Sequence, residues 1–187
     1  MKTVHIVHGW YGNPDGEWRP WLKKILLQKG WRVEIPAMPN SRKPEMNAWV
    51  KHLKKTIPAP DKNTVLIGHS LGVITILRYL ESLKPAEKIG AAILIAGFSY
   101  DLEYDGYHQE LGTFFRTSVN FAAVKKHCHN FTVLHSQDDP WVPIKHAYLF
   151  REKLGARIII QNGMKHYSGD DGVYSLPIVA ELLETIF

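Results

Sequence analysis

Thr64-Val65-Leu66-Ile67-Gly68-His69-Ser70-Leu71-Gly72-Val73-Ile74 is the stretch that decides how this chain folds. Thr64–Ile67 is an apolar, β-branched run and reads as a buried strand. From Leu71 onward, Leu71, Ile74, Leu77 and Leu80 recur at helical spacing, which predicts a helix to about Leu83. Between strand and helix stands Gly68-x-Ser70-x-Gly72. A serine on so sharp a turn is held in a strained backbone that aims its hydroxyl outward. The flanking positions must be glycine, because a Cβ there would strike the neighbouring strand or helix. Ser70 then sits at a helix N-terminus, with the Leu71 N–H pointing at any negative charge that develops beside it. This is the nucleophile-elbow pattern. The plainer reading of the same residues is a tight strand-to-helix turn with a capping serine.

Outward from that stretch, strand and helix patterns alternate, which predicts a parallel sheet with helices on both faces. Toward the N-terminus the predicted strands are Thr3–His8 and Trp31–Ile35, with helices over Trp18–Lys29 and Glu45–Thr56. The loop His8–Gly16 is too rich in glycine and turn residues for helix. Toward the C-terminus the strands are Ala91–Ala96, Phe131–His135 and Arg157–Ile160. Helices are expected over about 121–128 and Ile144–Leu154, and a last one from about Val173. The alternation lapses over 97–120. Between Gly97 and Arg116 that segment carries six aromatics and four acids and no lysine or arginine. It reads either as a lid or as a surface helix pair packing its aromatics on the core. As a lid it would give the site entrance a negative field favouring cationic substrates.

The 187 residues show no repeat, linker or low-complexity tract, so 1–187 is expected to be one domain. No 18-residue apolar run suggests a transmembrane helix. The chain enters its first strand without a signal-peptide pattern, and its single cysteine, Cys128, has no intrachain partner; both favour a reducing cytoplasm. The net charge of +5 comes from 23 scattered basic residues without a long run, so no nucleic acid or membrane partner is expected. His127-Cys128-His129 is a poor zinc spacing with no second pair nearby, and no metal or cofactor is expected.

A nucleophilic serine needs a base, and the base needs an orienting carboxylate. Ser70 follows the third strand, Asp138 and Asp139 the fifth, and His166 the sixth. In a parallel sheet all three loops leave from the carboxyl edge, where such folds bind ligands. Among the ten histidines, His5 lies within a strand. His135 ends the fifth strand, ahead of the acid, and does not fit the order serine, acid, histidine.

With these residues in place, the chain resembles the α/β-hydrolases. In particular it is similar to the small single-domain serine hydrolases of the retinoblastoma-binding-protein-9 type. The resemblance rests on His8-Gly9, Trp18-x-x-Trp21-x-Lys23-Lys24, Met38-Pro39, Gly68-His69-Ser70, Arg78-Tyr79, Asp138-Asp139-Pro140 with Pro143, and the late His166. It implies a minimal sheet of six strands in the order 2-1-3-4-5-6. It also implies packing for His69 inside the elbow and loop geometry for His8. The Asp-x-x-Val-Pro pattern and the resemblance favour Asp139 as the triad acid, with Asp138 beside it as the alternative. The His-Gly-x pattern assigns the oxyanion hole to the backbone N–H groups of Trp10 and Leu71. Lys165 stands just before His166, where many hydrolases have glycine. The expected activity is hydrolysis of a small ester, thioester or amide through an acyl-enzyme, as in a carboxylesterase. The alternative is a protein-interaction module that kept the fold with little or no activity.

Overall fold

The structure, a computed structural model, describes residues 1–104 and 107–186. Six parallel strands form one sheet in the order β2-β1-β3-β4-β5-β6. They are β1 (Thr3–Val7), β2 (Arg32–Glu34), β3 (Thr64–His69), β4 (Ala91–Ile95), β5 (Phe131–Ser136) and β6 (Arg157–Gln161). The helices are α1 (Arg19–Gln28), α2 (Met46–Thr56), α3 (Leu71–Glu81), α4 (Tyr107–Leu111), α5 (Phe121–His127), α6 (Lys145–Leu154) and α7 (Pro177–Ile186).

Side chains alternate across the strands, so each strand serves two cores. Val4, Ile6, Val65, Ile67 and Ile93 pack against Leu22 and Leu26 of α1 and Val179 and Leu183 of α7. Leu66, Ala92, Leu94 and Val133 pack on the other face against Trp49 and Leu53 of α2, Ile74 and Leu77 of α3, Val124 of α5 and Phe150 of α6. The result is a three-layer sandwich, and it explains why the central strands read as continuous apolar runs: both faces are covered.

Element boundaries differ from the sequence reading mostly by one or two residues. Two differences bear on the site. β3 runs on through Gly68 and His69, which pair with Leu94 and Ile95 of β4. The whole reversal into α3 is therefore made by Ser70 alone. The last helix begins at Pro177 rather than near Val173. A helix from Val173 would carry Pro177 in its interior, whereas proline at the first helical position is already set for it. Val173 instead returns its N–H to the Ser168 carbonyl at 3.0 Å, closing the loop that carries His166.

The segment after β4 is anchored from below. Arg78 of α3 is buried, and its guanidinium donates to the carbonyls of Phe114 (3.0 Å), Ser118 (3.3 Å) and Thr117 and to Glu81. Phe98 and Phe114 are buried in the core, with Phe114 edge-on to Trp49, while Tyr100 and Tyr104 face solvent.

Candidate active site

Ser70 has φ 53° and ψ −120°, a strained conformation for a residue with a side chain. The two glycines make room for it. A Cβ on Gly72 would lie 2.2 Å from the Val7 carbonyl oxygen, so only glycine lets α3 cross β1 this closely. A Cβ on Gly68 would lie 2.9 Å from the Gly72 backbone. The Ser70 N–H is tied to the Ile95 carbonyl at 2.9 Å, which leaves the side chain at the carboxyl edge of the sheet.

His166 Nε2 lies 2.9 Å from Ser70 Oγ, and His166 Nδ1 lies 2.9 Å from Asp139 Oδ2 and 3.1 Å from Oδ1. An ionised carboxylate only accepts, so Nδ1 carries the hydrogen and donates to Asp139. In the neutral ring Nε2 then accepts, and the Ser70 hydroxyl donates to it. The Asp139 side chain is 1% exposed and also accepts the N–H groups of Trp141 (2.9 Å) and Val142 (3.0 Å).

Asp138 is turned elsewhere. Its Oδ1 accepts from the Ser136 hydroxyl, the Gly163 N–H (3.0 Å) and the Lys165 N–H (3.3 Å). The Ser136 hydrogen bond is the largest cause holding its carboxyl below the usual aspartate range. Asp138 thus straps the end of β5 to the loop after β6. His135 sits behind the acid turn: its Nε2 donates to the Val142 carbonyl at 2.8 Å, and burial pushes its pKa down. His8 ties the loop after β1 together. Its Nδ1–H donates to the Gly9 carbonyl (2.8 Å) and its Nε2 accepts the Met38 N–H (3.1 Å).

The Leu71 N–H opens α3 and has no carbonyl one turn earlier to bond. Gly9 lies against Ser70: a Cβ on Gly9 would stand 3.0 Å from Ser70 Cβ and 3.6 Å from Oγ. Trp10 follows it directly, and among the described residues its N–H makes no hydrogen bond. Its indole N–H donates to the Arg42 carbonyl at 3.0 Å, and its ring packs against Tyr11 and Tyr107.

Several residues here carried no motif in the sequence. Asp171 accepts the His166 N–H (3.0 Å) and both the N–H and hydroxyl of Ser168. Burial works against its ionisation, and the Ser168 and His166 hydrogen bonds outweigh it, leaving its pKa lowered. A cleft of about 290 Å³ opens against Ser70 and His166, walled by Trp10, Tyr11, Trp141, Glu17, Arg19 and Asp170. Among its described lining residues none comes from the acidic stretch 97–116. Asp101 and Glu103 border a separate depression with Tyr100 and Phe115, and Asp105 lies outside the described residues. A larger groove of about 440 Å³, between α1 and Ile35, includes neither Ser70 nor His166 in its wall. Among the described residues no group of three or more His, Cys, Asp or Glu side chains could hold a metal ion, and no helix is long and apolar enough to cross a membrane.

A parallel three-layer sandwich with a strained serine at the carboxyl edge, hydrogen-bonded to a histidine from the last loop, defines the class of α/β-hydrolase folds. Within that class the serine hydrolase family model matches residues 4–185, and the chain belongs to that family. It is 34% identical to YdeN of Bacillus subtilis (strain 168) over 187 residues, covering all of this chain and 96% of that protein. The crystal structure of the B. subtilis ydeN gene product superposes with a TM-score of 0.93 at 33% identity, covering all of this chain and 99% of that one. The serine hydrolase RBBP9 of Rattus norvegicus is 24% identical over 177 residues, 94% of this chain and 87% of that protein. Est1E from Butyrivibrio proteoclasticus shares the fold, with a TM-score of 0.75 at 14% identity over all of this chain and 88% of its own.

Proposed function

We propose that this chain is a carboxylesterase-type serine hydrolase that cleaves small esters, thioesters or amides through an acyl-enzyme on Ser70. The observation that carries this reading is the unbroken hydrogen-bond line from Ser70 Oγ through His166 to Asp139, at 2.9 Å in each step. Ser70 attacks the carbonyl while His166 Nε2 takes its proton. Asp139 holds the imidazole in the Nδ1–H tautomer and stabilises the imidazolium. The N–H groups of Leu71 and Trp10 receive the oxyanion. As fixed backbone donors they need no reorganisation as charge develops, and one such donor can be worth about 3 kcal/mol. His166 then protonates the leaving group, and water, activated by the same nitrogen, releases the acid. Every step uses the chain's own groups and water.

The cleft volume favours a small substrate, with Trp10, Tyr11 and Trp141 as apolar wall and Glu17, Arg19 and Asp170 as polar wall. In this reading the 97–120 segment meets the site through Tyr107, which packs on Trp10 of the cleft wall. The lone buried thiol of Cys128 fits work in a reducing cytoplasm.

The test is labelling with a fluorophosphonate probe, together with turnover of p-nitrophenyl esters of increasing acyl length. Ser70→Ala should abolish both and leave the fold intact, since the mutation removes one hydroxyl. Residual turnover comparable to the parent would remove Ser70 as nucleophile. A parent protein that neither labels nor turns over esters would leave the interaction-module reading in its place.

A further inference from the structure

His69 fills the variable position of the elbow, between Gly68 and Ser70, and the chemistry above gives it nothing to do. The structure gives it a definite bond. Its side chain is 5% exposed, and its Nε2 lies 2.7 Å from the backbone carbonyl oxygen of His166. A carbonyl only accepts, so Nε2 carries the hydrogen and Nδ1 keeps its lone pair. On the Nδ1 side Glu17 Oε2 stands 3.6 Å away, too far for a hydrogen bond, and Glu17 is engaged by the Arg19 guanidinium. Arg19 is itself buried and held by the Asn13 carbonyl at 2.9 Å. Burial first, then the nearby His166 and Arg19, push the His69 pKa down to about 3, so the ring stays neutral and keeps this tautomer.

The segment that His69 grips is strained. Lys165 has φ 46° and Tyr167 has φ 58°, so His166 is flanked on both sides by side-chain residues in the left-handed region. Such geometry persists only where its surroundings over-determine it. Asp138 takes the Lys165 N–H and Asp171 takes the His166 N–H. Trp18, edge-on to His69, gives its indole N–H to the Tyr167 carbonyl at 3.1 Å. The His166 carbonyl is the remaining handle, and the residue adjoining the nucleophile holds it.

We propose that His69 is a positioning residue for His166, its Nε2–H fixing the His166 carbonyl so that the imidazole stays in line between Ser70 and Asp139. This rests on the reading of Ser70, His166 and Asp139 as the reacting set. It separates His69 from a residue that merely fills space, because the donor atom, rather than the ring volume, is what the loop requires.

Glutamine can place an amide N–H about where the imidazole Nε2 sits, whereas asparagine is one methylene too short. His69→Gln, His69→Asn and His69→Phe are compared for kcat and KM on a neutral p-nitrophenyl ester and for amide hydrogen exchange at residues 163–168. The Gln variant should keep kcat within about threefold of the parent, while Asn and Phe lose about 10- to 100-fold in kcat with little change in KM. Exchange at 163–168 should speed up in the Asn and Phe variants and not in Gln. If Gln is as damaged as Asn, or if Phe keeps both rate and protection, the proposal is wrong. Should the Phe variant fail to fold, the Gln–Asn pair still decides. A parent without ester turnover would sink the acyl-enzyme reading instead, and the exchange comparison would still show whether His69 holds the loop.

Discussion

Two adjacent carboxylates, Asp138 and Asp139, show how much a single position decides. Both follow β5; the Asp-x-x-Val-Pro pattern favours Asp139, and the neighbouring Asp138 is the alternative it leaves open. Asp139 presents both oxygens to His166 Nδ1 and is closed in by the turn that Pro140 begins. Asp138 instead accepts backbone N–H groups from the loop it steadies. Asp139→Asn keeps the shape but can present an N–H to Nδ1, forcing the wrong tautomer on His166, and should cost on the order of 10⁴ in kcat. Asp138→Asn keeps an acceptor oxygen and should cost far less. Steady-state kinetics on one ester decides; the reverse ranking would exchange the roles of the two residues.

Among the elements, α3 carries the most. Every residue from Leu71 to Leu80 is buried, including Arg78. Arg78 lies along the same helix that Ser70 caps, and it collects three carbonyls of the 114–118 turn. Arg78→Met fills the space but leaves the buried Phe114 carbonyl and the part-buried Thr117 and Ser118 carbonyls without their donor, and Glu81 without its ion-pair partner. It should destabilise the fold by about 3 kcal/mol, read as a drop in the urea midpoint, and open 112–119 to limited proteolysis. An unchanged midpoint with unchanged cleavage would mean that the segment holds itself in place. The hydrophobic period of α3 was plain in the sequence. That its one arginine points inward was not, because a charge at a helical core position reads as surface until partners distant in the chain supply its hydrogen bonds.

For the whole molecule the histidines set the response to acid. Burial is the leading cause pushing His5 and His146 down to about 4 and His69 to about 3, from an ordinary 6.5. His8 and His135 are lowered by the same cause. In the unfolded chain each takes up a proton below about pH 6.5, while in the folded protein each stays neutral until its own lower value. Stability is therefore complete above pH 6.5 and falls as pH drops toward 4, by up to about 1.4 kcal/mol per pH unit for each such histidine. Asp61, Asp138 and Asp171 are lowered below the ordinary carboxylate value of 3.8, so they add their losses only at still lower pH. Thermal unfolding at pH 7.5, 6.0 and 4.5 should show a midpoint that falls at each step. A midpoint that holds to pH 4.5 would contradict burial of these rings in their neutral form.

The architecture follows from the apolar pattern alone. Apolar runs long enough to be covered on both faces, separated by helical periods and glycine or proline stops, allow a doubly covered parallel sheet and little else. Gly68 and Gly72 around Ser70 already declare a close crossing and a strained turn, because these needs are local and only one residue type meets them. Which side chains become neighbours is set by the folded chain. Asp171 lies in the loop that carries His166, Glu17 and Arg19 flank the cleft, and His69 bonds a carbonyl 97 residues away. The contacts of His69, Glu17 and Arg19 leave no period or spacing, since they depend on where distant loops are laid down, and Asp171, five residues from His166, belongs to no motif that marks it. Lys165 shows the limit most clearly. In sequence it is a departure from the glycine that many hydrolases place there. In space its positive φ shows why glycine suits the position, and the hydrogen bonds around His166 show what holds a lysine in it.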